Sequence, residues 1–389
     1  MLLATLLGAP RVVAAQLPLA TCVDSLQRTP QGARLAPDTW AMVRELTADS
    51  TVLAQLDAQP EFRLALWDYL AVMTDDERVR DGQTAMRTHR SAIDSVVARF
   101  NVPASVLAAI WGIESNFGSG SGRFSVVRSV ATLACVGRRQ RYFREELYAA
   151  LRILERGDIT SDQFLGSWAG AFGQVQFMPR SFESRAVDLD GDGRRDLIGH
   201  VGDALASAAR YLRGAGWVPG VPWGIEVMLP RAFTLPAKGR RDRRTLAQWA
   251  RAGVRRVDGS PLATRALPPT TRAGLLVPTT PEGPLFLVTH NFEAILRYNA
   301  AIAYALAVAH LADRLDGKAA TFATPWPTDD GGLSRDERRE LQALLRARGH
   351  AVGTPTALLT PEIIAAVRAE QERLGWPVTA RPGQRLLIT

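Results

Sequence analysis

The sequence predicts a mainly α-helical (α+β) fold, in which a helical body carries a small inserted β subdomain and precedes a C-terminal helical module. Apolar residues recur at helical spacing over residues 36–100 and again beyond residue 103. Short β-like runs replace this pattern over about residues 221–290. Residues 317–332, rich in Gly, Pro, Thr and Ala, form a predicted linker. We therefore expect four parts: a leader-like segment over 1–22, the body over 23–316, the linker, and the module over 333–389.

Helices of the body are delimited by local signals. The spacing predicts a helix from Gly82 to Phe100, and Pro103 is suited to the first turn of the next one. That next helix, from Ala104 to about Asn116, is nearly all apolar. A helix without a polar face lies in a core. Further helices are predicted over residues 142–156 and 203–213.

The β subdomain is predicted from three short runs, Ile225–Leu229, Leu275–Val277 and Leu285–Val288, the last two joined by a Pro-Gly turn at 281–284. A helix then returns over Phe292–Leu315.

The C-terminal module is predicted from two helix starts. Ser334 and Glu337 have the spacing of a capping box. Thr360 is the expected cap of a second helix, with Pro361 in its first turn.

The composition is that of a globular protein with a basic surface. Among the 389 residues, 47% are hydrophobic and 22% are charged, and no apolar run reaches the roughly 18 residues of a membrane-spanning helix. The net charge of +8 permits anionic partners, such as nucleic acid, membrane surfaces or carboxylate-bearing polymers. No aromatic-interleaved motif accompanies the basic clusters at 138–141 and 238–244, so we expect no nucleic-acid partner. We interpret the second cluster as solvated surface.

Two cysteines, Cys22 and Cys135, are too few for a thiolate zinc cluster. In an exported protein they predict one disulfide, and in the cytosol they would be two buried thiols. The N-terminus resembles a weak export signal: Leu2–Leu7 is apolar and Val13–Gln16 resembles a cleavage site, although Arg11 interrupts the apolar run.

Glu114 is the anomaly of the sequence. It is the one charged residue between Arg99 and Arg123, and it lies near the end of the nearly all-apolar helix. A carboxyl in an apolar setting has a raised pKa, as the general acid of a glycosidase requires. The alternative is a glutamate that leaves the helix end into solvent.

A second unusual segment spans Gly166–Pro179 and combines three glycines with amide and aromatic side chains. Glycines let a backbone approach a ligand closely. Ser167, Gln174 and Gln176 supply uncharged hydrogen-bonding groups, while the aromatic residues supply faces for sugar rings. A tightly packed core loop would also explain the glycines, but it explains the two glutamines less well.

Four motifs carry a resemblance to a known family. In chain order they are Glu114–Gly118, Gly166–Pro179, Asp188–Gly193 and Arg297–Asn299. In this order they resemble the membrane-bound lytic murein transglycosylase B family, over about residues 23–316. The resemblance implies a lysozyme-like helical core, a small β subdomain and a single catalytic glutamate.

The C-terminal residues, 333 to about 388, resemble the three-helix peptidoglycan-binding module. The matching residues are Glu340–Leu345, Gly349 and Thr360–Glu362. Residues 354–359 depart from the Gly-rich turn of that pattern, so the module is either a wall-binding unit or a packing domain.

The resemblance also implies roles for single residues. Glu114 matches the acid/base, and Ser167 and Gln176 match residues that line sugar subsites. Contacts around the cleaved bond are matched by Tyr211, Tyr298 and Asn299. A basic pair suited to the carboxylates of stem peptides is matched by Arg138 and Arg139. The tyrosines would otherwise be core residues, and the arginines would otherwise be surface residues.

The expected mechanism follows from the lack of a second carboxylate in the glycine-rich segment. No Asp or Glu lies within 166–179, whereas ordinary glycosidases need a second carboxylate. The resemblance implies that one glutamate protonates the bond between N-acetylmuramic acid and N-acetylglucosamine and then deprotonates the muramoyl O6. The product is a 1,6-anhydro sugar, formed without water or a catalytic cofactor. A hydrolytic muramidase and an inactive wall-binding protein remain the alternatives.

The predicted partner is therefore the peptidoglycan glycan strand, bound by a monomer in the periplasm or cell envelope. Residues 19–22 resemble a lipidation site, which would add an outer-membrane association, although Thr21 is bulkier than such a site prefers.

Residues 188–193 fit the first half of a calcium loop. Asp188, Asp190 and Asp192 supply oxygens, and Arg194 would contribute its backbone carbonyl. The resemblance implies that a later aspartate, Asp203, closes a structural Ca²⁺ site. A metal-free loop of Asx turns is the alternative.

Overall fold

Helices build the first part of the body. The computed structural model describes residues 19–56, 64–120 and 122–389, so most of the predicted leader-like segment lies outside the described residues. The helices are α1 (Ala20–Gln27), α2 (Pro37–Arg44), α3 (Ser50–Ala54), α4 (Leu66–Met73), α5 (Asp76–Thr88), α6 (Arg90–Phe100) and α7 (Ala104–Ser115).

The helix predicted over 82–100 is in fact two helices, because the chain leaves helical geometry at His89 (φ −107°, ψ 26°). The two halves have different partners: α5 packs against α7 and the helix Ile302–Leu315, whereas α6 packs against the helix Val201–Gly214. Periodicity could not reveal this break, since both halves keep an apolar stripe.

The middle of the body contains a short hairpin between helices. Its elements are β1 (Phe124–Ser125), α8 (Val126–Cys135), α9 (Gln140–Glu155), β2 (Leu165–Gly166), α10 (Pro179–Arg185) and α11 (Val201–Gly214). β1 and β2 pair antiparallel, with Phe124 opposite Gly166. A disulfide between Cys22 and Cys135 joins α1 to the end of α8.

The β subdomain is a five-stranded antiparallel sheet of order β4-β6-β7-β3-β5 with its own apolar core. Its elements are β3 (Gly224–Met228), β4 (Arg243–Thr245), α12 (Leu246–Arg251), β5 (Arg255–Arg256), β6 (Arg272–Leu276) and β7 (Leu285–Val288). The three predicted runs correspond to β3, β6 and β7, with shifted ends. β4 and β5 are two to three residues of mostly arginine, a composition that does not indicate a strand.

The helix predicted over Phe292–Leu315 is likewise broken. The structure has α13 (His290–Tyr298) and α14 (Ile302–Leu315), which meet at 117°. Asn299 is extended (φ −138°, ψ 125°) and ends α13. The bend lets α14 run along α7 while α13 packs against α11.

None of the helices that the structure describes is individually long and apolar enough to cross a bilayer, although two bent helix pairs have the length and composition when their halves are counted together.

The C-terminal module contains α15 (Arg335–Ala347), α16 (Pro361–Arg373) and α17 (Gln384–Leu387) around a small apolar core. The capping box of Ser334 and Glu337 is formed as predicted. Thr360 is the N-cap residue of α16 and Pro361 lies in its first turn, as predicted, but the Thr360 hydroxyl bonds the Glu362 carboxylate and makes no capping bond to the backbone.

The segment predicted as a linker lies against the body. The backbone N–H groups of Ala323 and Thr324 donate to the Glu226 carboxylate on β3, at 2.8 and 2.7 Å. Phe322 contacts the rings of Phe286 and His310, with centroid distances of 4.9 and 4.4 Å. The module is thus tied to the β subdomain through its connection.

Candidate active site

Glu114 lies in the last turn of α7, the core helix of the body. The residues before it, from Ser105 to Gly112, are all buried, and Glu114 itself is half-buried. α14 packs along α7, which brings the Tyr304 hydroxyl within 2.6 Å of Glu114 Oε1 as a hydrogen-bond donor. The carboxyl is therefore held at the edge of an apolar core by a neutral donor.

An aromatic cluster extends from Tyr304 away from Glu114. The ring of Tyr298 stacks on that of Tyr304 (6.4 Å, 11°), and Tyr211 follows at 4.8 Å from Tyr298. Phe177 lies 5.8 and 5.9 Å from Tyr211 and Tyr298. The bend between α13 and α14 creates this wall, because it turns the two helix ends toward each other.

The hydroxyls of this wall stay protonated. Burial raises the pKa of Tyr298 and of Tyr304 well above the ordinary value of 10, and the charge of Glu114 raises both further. Tyr298 donates to the carbonyl of Val175 (2.7 Å), and Tyr211 donates to that of Arg297 (2.6 Å). Both outer tyrosines thus fasten the surrounding backbone.

The turn after Glu114 is conformationally strained. Asn116, Phe117 and Gly118 all have positive φ, at 48°, 59° and 85°. Two consecutive non-glycine residues in this region are costly and need support from their surroundings. Gly112 provides part of this support, because its lack of a side chain leaves room for the Phe117 ring. A Cβ at this position would lie 2.5 Å from that ring.

Ser115 ties this turn to the glycine-rich segment. Its hydroxyl donates to the carbonyl of Gln174 (2.6 Å) and accepts from the N–H of Gly118 (3.0 Å). The chain beyond the turn also touches the segment, since a Cβ on Gly122 would lie 2.2 Å from the Gly166 carbonyl carbon. The two motifs therefore form one site.

Within the glycine-rich segment, the polar side chains differ in burial and in their hydrogen-bond partners. Gln174 is buried and donates to the carbonyl of Ile198 (3.0 Å). Gln176 has φ 46° and donates to the carbonyl of Gly173 (2.9 Å), while the Ser167 hydroxyl accepts from the N–H of Ala171 (3.1 Å). Ser167 and Gln176 stay half-buried at the surface of the loop. Gln174 therefore packs a tight loop, whereas the predicted sugar-binding role of Ser167 and Gln176 stays a prediction.

The remaining predicted binding residues lie after α13 and just before α9. Asn299 is half-buried in the extended segment after α13. Arg138 and Arg139 are exposed at the start of α9, where the Arg139 guanidinium lies 4.5 Å from the Tyr142 ring centroid.

Sequence reasoning missed Tyr304. A single tyrosine in the apolar run at 301–309 is typical of a core residue. Its position six residues after Tyr298, across a break that the spacing did not reveal, was the only available signal.

The acidic loop brings together Asp188, Asp190 and Asp192, whose carboxylate oxygens lie within 4.8 Å of one another. Asp188 accepts from the N–H groups of Gly191 and Gly193, at 2.6 and 2.9 Å. The loop thus has the oxygen-rich, tightly turned form that suits a hard cation.

Asp203 is buried and closes this loop through hydrogen bonds. It accepts from the N–H groups of Leu189 and Asp196, both at 2.9 Å. Together with Asp190 it forms a second group of ligand atoms that includes His200, which the sequence reasoning did not consider.

Comparison with known proteins decides the family. The transglycosylase SLT domain matches residues 19–313. The chain belongs to the SLT-domain transglycosylase family. A peptidoglycan binding domain matches residues 334–388. The predicted family and the predicted fold class are confirmed. Transglycosylases need no catalytic cofactor.

Individual relatives agree with this assignment. Membrane-bound lytic murein transglycosylase B of Escherichia coli (strain K12) is 32% identical over 235 residues. That match spans 60% of this chain and 62% of the relative, hence less than two thirds of it.

Two solved structures are similar in fold and sequence. SltB3 of Pseudomonas aeruginosa, in complex with NAG-anhNAM-pentapeptide, has a TM-score of 0.76 and 41% identity, covering 96% of this chain and 99% of that one. The Escherichia coli lytic transglycosylase Slt35, in complex with calcium, has a TM-score of 0.65 and 25% identity, with coverages of 78% and 94%.

Proposed function

We propose that this protein is a lytic transglycosylase that cleaves the MurNAc–GlcNAc β-1,4 bond of peptidoglycan and leaves 1,6-anhydromuramic acid ends. The observation that carries the proposal is the hydrogen bond from Tyr304 to Glu114, at the end of a core helix and beside an aromatic wall. The SltB3 complex supports it, since a relative 41% identical to this chain is bound there to an anhydro-muramoyl fragment.

In the first step, protonated Glu114 donates its proton to the glycosidic oxygen, and the bond to C1 breaks. The substrate's own N-acetyl group can stabilise C1 at this stage. In the second step the Glu114 carboxylate removes the proton from O6, and O6 bonds to C1. One glutamate is therefore acid and then base.

Tyr304 assists both steps without exchanging its own proton. Its hydroxyl fixes the carboxyl orientation and favours the anion that exists between the steps. The local sequence supports a single carboxylate, because residues 115–144 and 166–179 contain neither Asp nor Glu. A glycosidase with two carboxylates would place the second close to the first.

Sugar binding is assigned to residues around this centre. Ser167 and Gln176 line the sugar subsites from the glycine-rich segment, and Tyr298 and Asn299 flank the cleaved bond. Tyr211 offers its ring, because its hydroxyl already donates to the backbone. Arg138 and Arg139 are exposed and charged, as contacts to stem-peptide carboxylates require.

The acidic loop is assigned as a structural calcium site. Asp188, Asp190, Asp192 and Asp203 would hold the ion with the carbonyl of Arg194, and the ion would brace the chain before α11. The clustering of the carboxylates and the calcium complex of Slt35 support this assignment.

The two-part organisation is assigned accordingly. Residues 23–316 form the catalytic region, and residues 333–389 form a wall-binding module joined by 317–332. We place the protein in the periplasm or cell envelope as a monomer acting on peptidoglycan strands. The disulfide between Cys22 and Cys135 supports an oxidising compartment.

The test is product analysis on purified peptidoglycan. The wild-type chain is expected to produce 1,6-anhydro muramoyl ends, and Glu114→Gln is expected to produce none above background, because an amide cannot donate the proton. Reducing muramic acid ends would instead identify a hydrolytic muramidase, and binding without cleavage would identify a wall-binding protein.

A further inference from the structure

The C-terminal module contacts the catalytic body through a buried ion pair. Arg335, the first residue of α15, donates from Nε to Asp75 Oδ2 and from Nη2 to Asp75 Oδ1, both at 2.9 Å. Its backbone N–H also donates to Asp75 (3.0 Å). Both residues are buried, at 8% and 7% exposure, so this contact is part of the interior.

Asp75 connects this ion pair to the helix that carries Glu114. It caps α5 by accepting from the N–H of Arg78 (2.8 Å). The buried Arg78 guanidinium donates to the carbonyl of Gly112, in the last turn of α7. A chain of contacts therefore runs from the module, through the start of α5, to the end of the catalytic helix.

Both guanidinium groups reach the same acceptor on the catalytic turn. Arg335 Nη1 and Arg78 Nη1 each lie 3.4 Å from Asn116 Oδ1. The amide of Asn116 donates in turn to the Ser119 hydroxyl (3.0 Å), which donates back to the Asn116 carbonyl (2.8 Å). Asn116 begins the strained turn, two residues after Glu114.

We infer that Arg335 is a positioning residue for the reaction, through which the C-terminal module holds the turn after Glu114 in its working geometry. The inference rests on the proposed function of Glu114. Asn116 and Phe117 are consecutive non-glycine residues with positive φ that need external support, and Arg335 supplies a charged donor to the first of them. The module thereby completes the active site, in addition to any role in wall binding.

A second ion pair in the interface provides a matched control. Arg381 donates to both oxygens of Asp68, at 2.8 and 2.7 Å, and also pairs with Asp330 (2.7 Å). This pair docks the module on α4, and within the described residues the Arg381 side chain bonds Asp68 and Asp330 but not Asn116. Loss of Arg381 therefore weakens docking while the contact to the turn remains.

The experiment uses the full-length chain and measures kcat and KM on soluble, uncross-linked peptidoglycan strands, together with thermal unfolding. Arg335→Gln is expected to lower kcat about tenfold with little change in KM, since it removes a charged hydrogen bond to the turn. Arg381→Gln is expected to lower the unfolding temperature while keeping kcat within about twofold of wild type, because it affects docking alone.

A double-mutant cycle separates positioning from general loosening. Asn116→Ala is expected to lower kcat as Arg335→Gln does, and the double variant should show no further loss, because both changes remove one contact. Losses that multiply would overturn the inference, as would equal reductions of kcat in Arg335→Gln and Arg381→Gln.

If Arg335→Gln does not fold, Arg335→Lys decides the question. Lysine keeps the charge opposite Asp75 but lacks the planar fork that serves two acceptors. A reduced kcat supports the inference, and wild-type kcat overturns it. A wild-type chain without Glu114-dependent anhydro products would instead refute the proposed function, so the two failures are distinguishable.

Discussion

Two carboxylates near the C-terminal end of α7 are held in opposite ways. Glu114 accepts a hydrogen bond from the neutral hydroxyl of Tyr304. Asp75 is enclosed by the guanidinium of Arg335 and by backbone N–H groups. Burial alone would raise the pKa of Asp75, but the hydrogen bonds from Arg335 and from the N–H of Arg78 outweigh it, so the pKa lies below its ordinary value.

The difference teaches that the partner of a carboxylate decides its role. A cation fixes the anion, so Asp75 serves as a permanent acceptor in a docking interface. A neutral hydroxyl can stay hydrogen-bonded to the carboxyl in both protonation states, as a group that must give and take a proton requires. The following changes would break or sharpen this contrast.

The largest expected effect is on stability, from Asp75→Asn. The Asp75 side chain is 3% exposed and that of its partner Arg335 is 10% exposed. The variant leaves this buried cation with only its longer contacts to Glu77 and Asp81, at 3.5 and 3.6 Å. We expect a loss of about 3 kcal/mol in the free energy of unfolding, measured in urea. The neighbour Asp76 is 76% exposed, and Asp76→Asn should cost less than about 1 kcal/mol. Equal effects of the two variants would contradict the buried role of Asp75.

The next effect is on catalysis, from Glu114→Asp. The change keeps the charge but withdraws the carboxyl by about 1 Å, which should lower kcat about a hundredfold. Unfolding in urea should be nearly unchanged, because the variant keeps a carboxylate at a position that is only half-buried. A wild-type rate would show that the position of this carboxyl is not critical.

A smaller effect is expected from Tyr304→Phe. Removing the hydroxyl should lower kcat about tenfold by loosening the Glu114 carboxyl. Tyr148→Phe is the matched control, since this buried tyrosine of α9 bonds Thr29, just after α1, and should leave kcat unchanged. In the wild type, the raised pKa of Tyr304 predicts no loss of this donor up to pH 10.

The smallest effect is a pH dependence of stability. The pKa of Asp75 is lower in the folded state than its ordinary value of 3.8. Its contribution is therefore present above pH 3.8 and is lost as the pH falls through the folded pKa. Thermal unfolding between pH 5 and pH 3 should show a steeper acid loss for wild type than for Asp75→Asn. Parallel curves would mean that Asp75 does not titrate differently on folding.

The sequence predicted the helical body, the β subdomain and Glu114, because each has a local signal. A single carboxylate among apolar residues can be recognised from the sequence of one helix alone. The bends at His89 and Asn299 were not predictable, since neither position carries a proline or glycine and the apolar spacing continues across both. Both bends arise because the helices on either side of them pack against different partners.

The docking interface was beyond local reasoning for another reason. Asp75 and Arg335 are 260 residues apart, and each is explained locally, as a helix cap and as part of a capping-box sequence. Nothing in either pattern indicates the other. The same holds for Tyr304, which is 190 residues from Glu114.

The segment between the body and the module determines how the two proposed binding surfaces can cooperate. A free linker would let the module search a volume around the cleft, with an effective concentration set by its length. Here Glu226 holds the backbone of that segment and Phe322 anchors it, so the separation is fixed. A rigid pair of sites gains avidity only on strands whose spacing matches it and gains none elsewhere. The spacing of the glycan strands, rather than the quantity of peptidoglycan, would then determine where this protein acts.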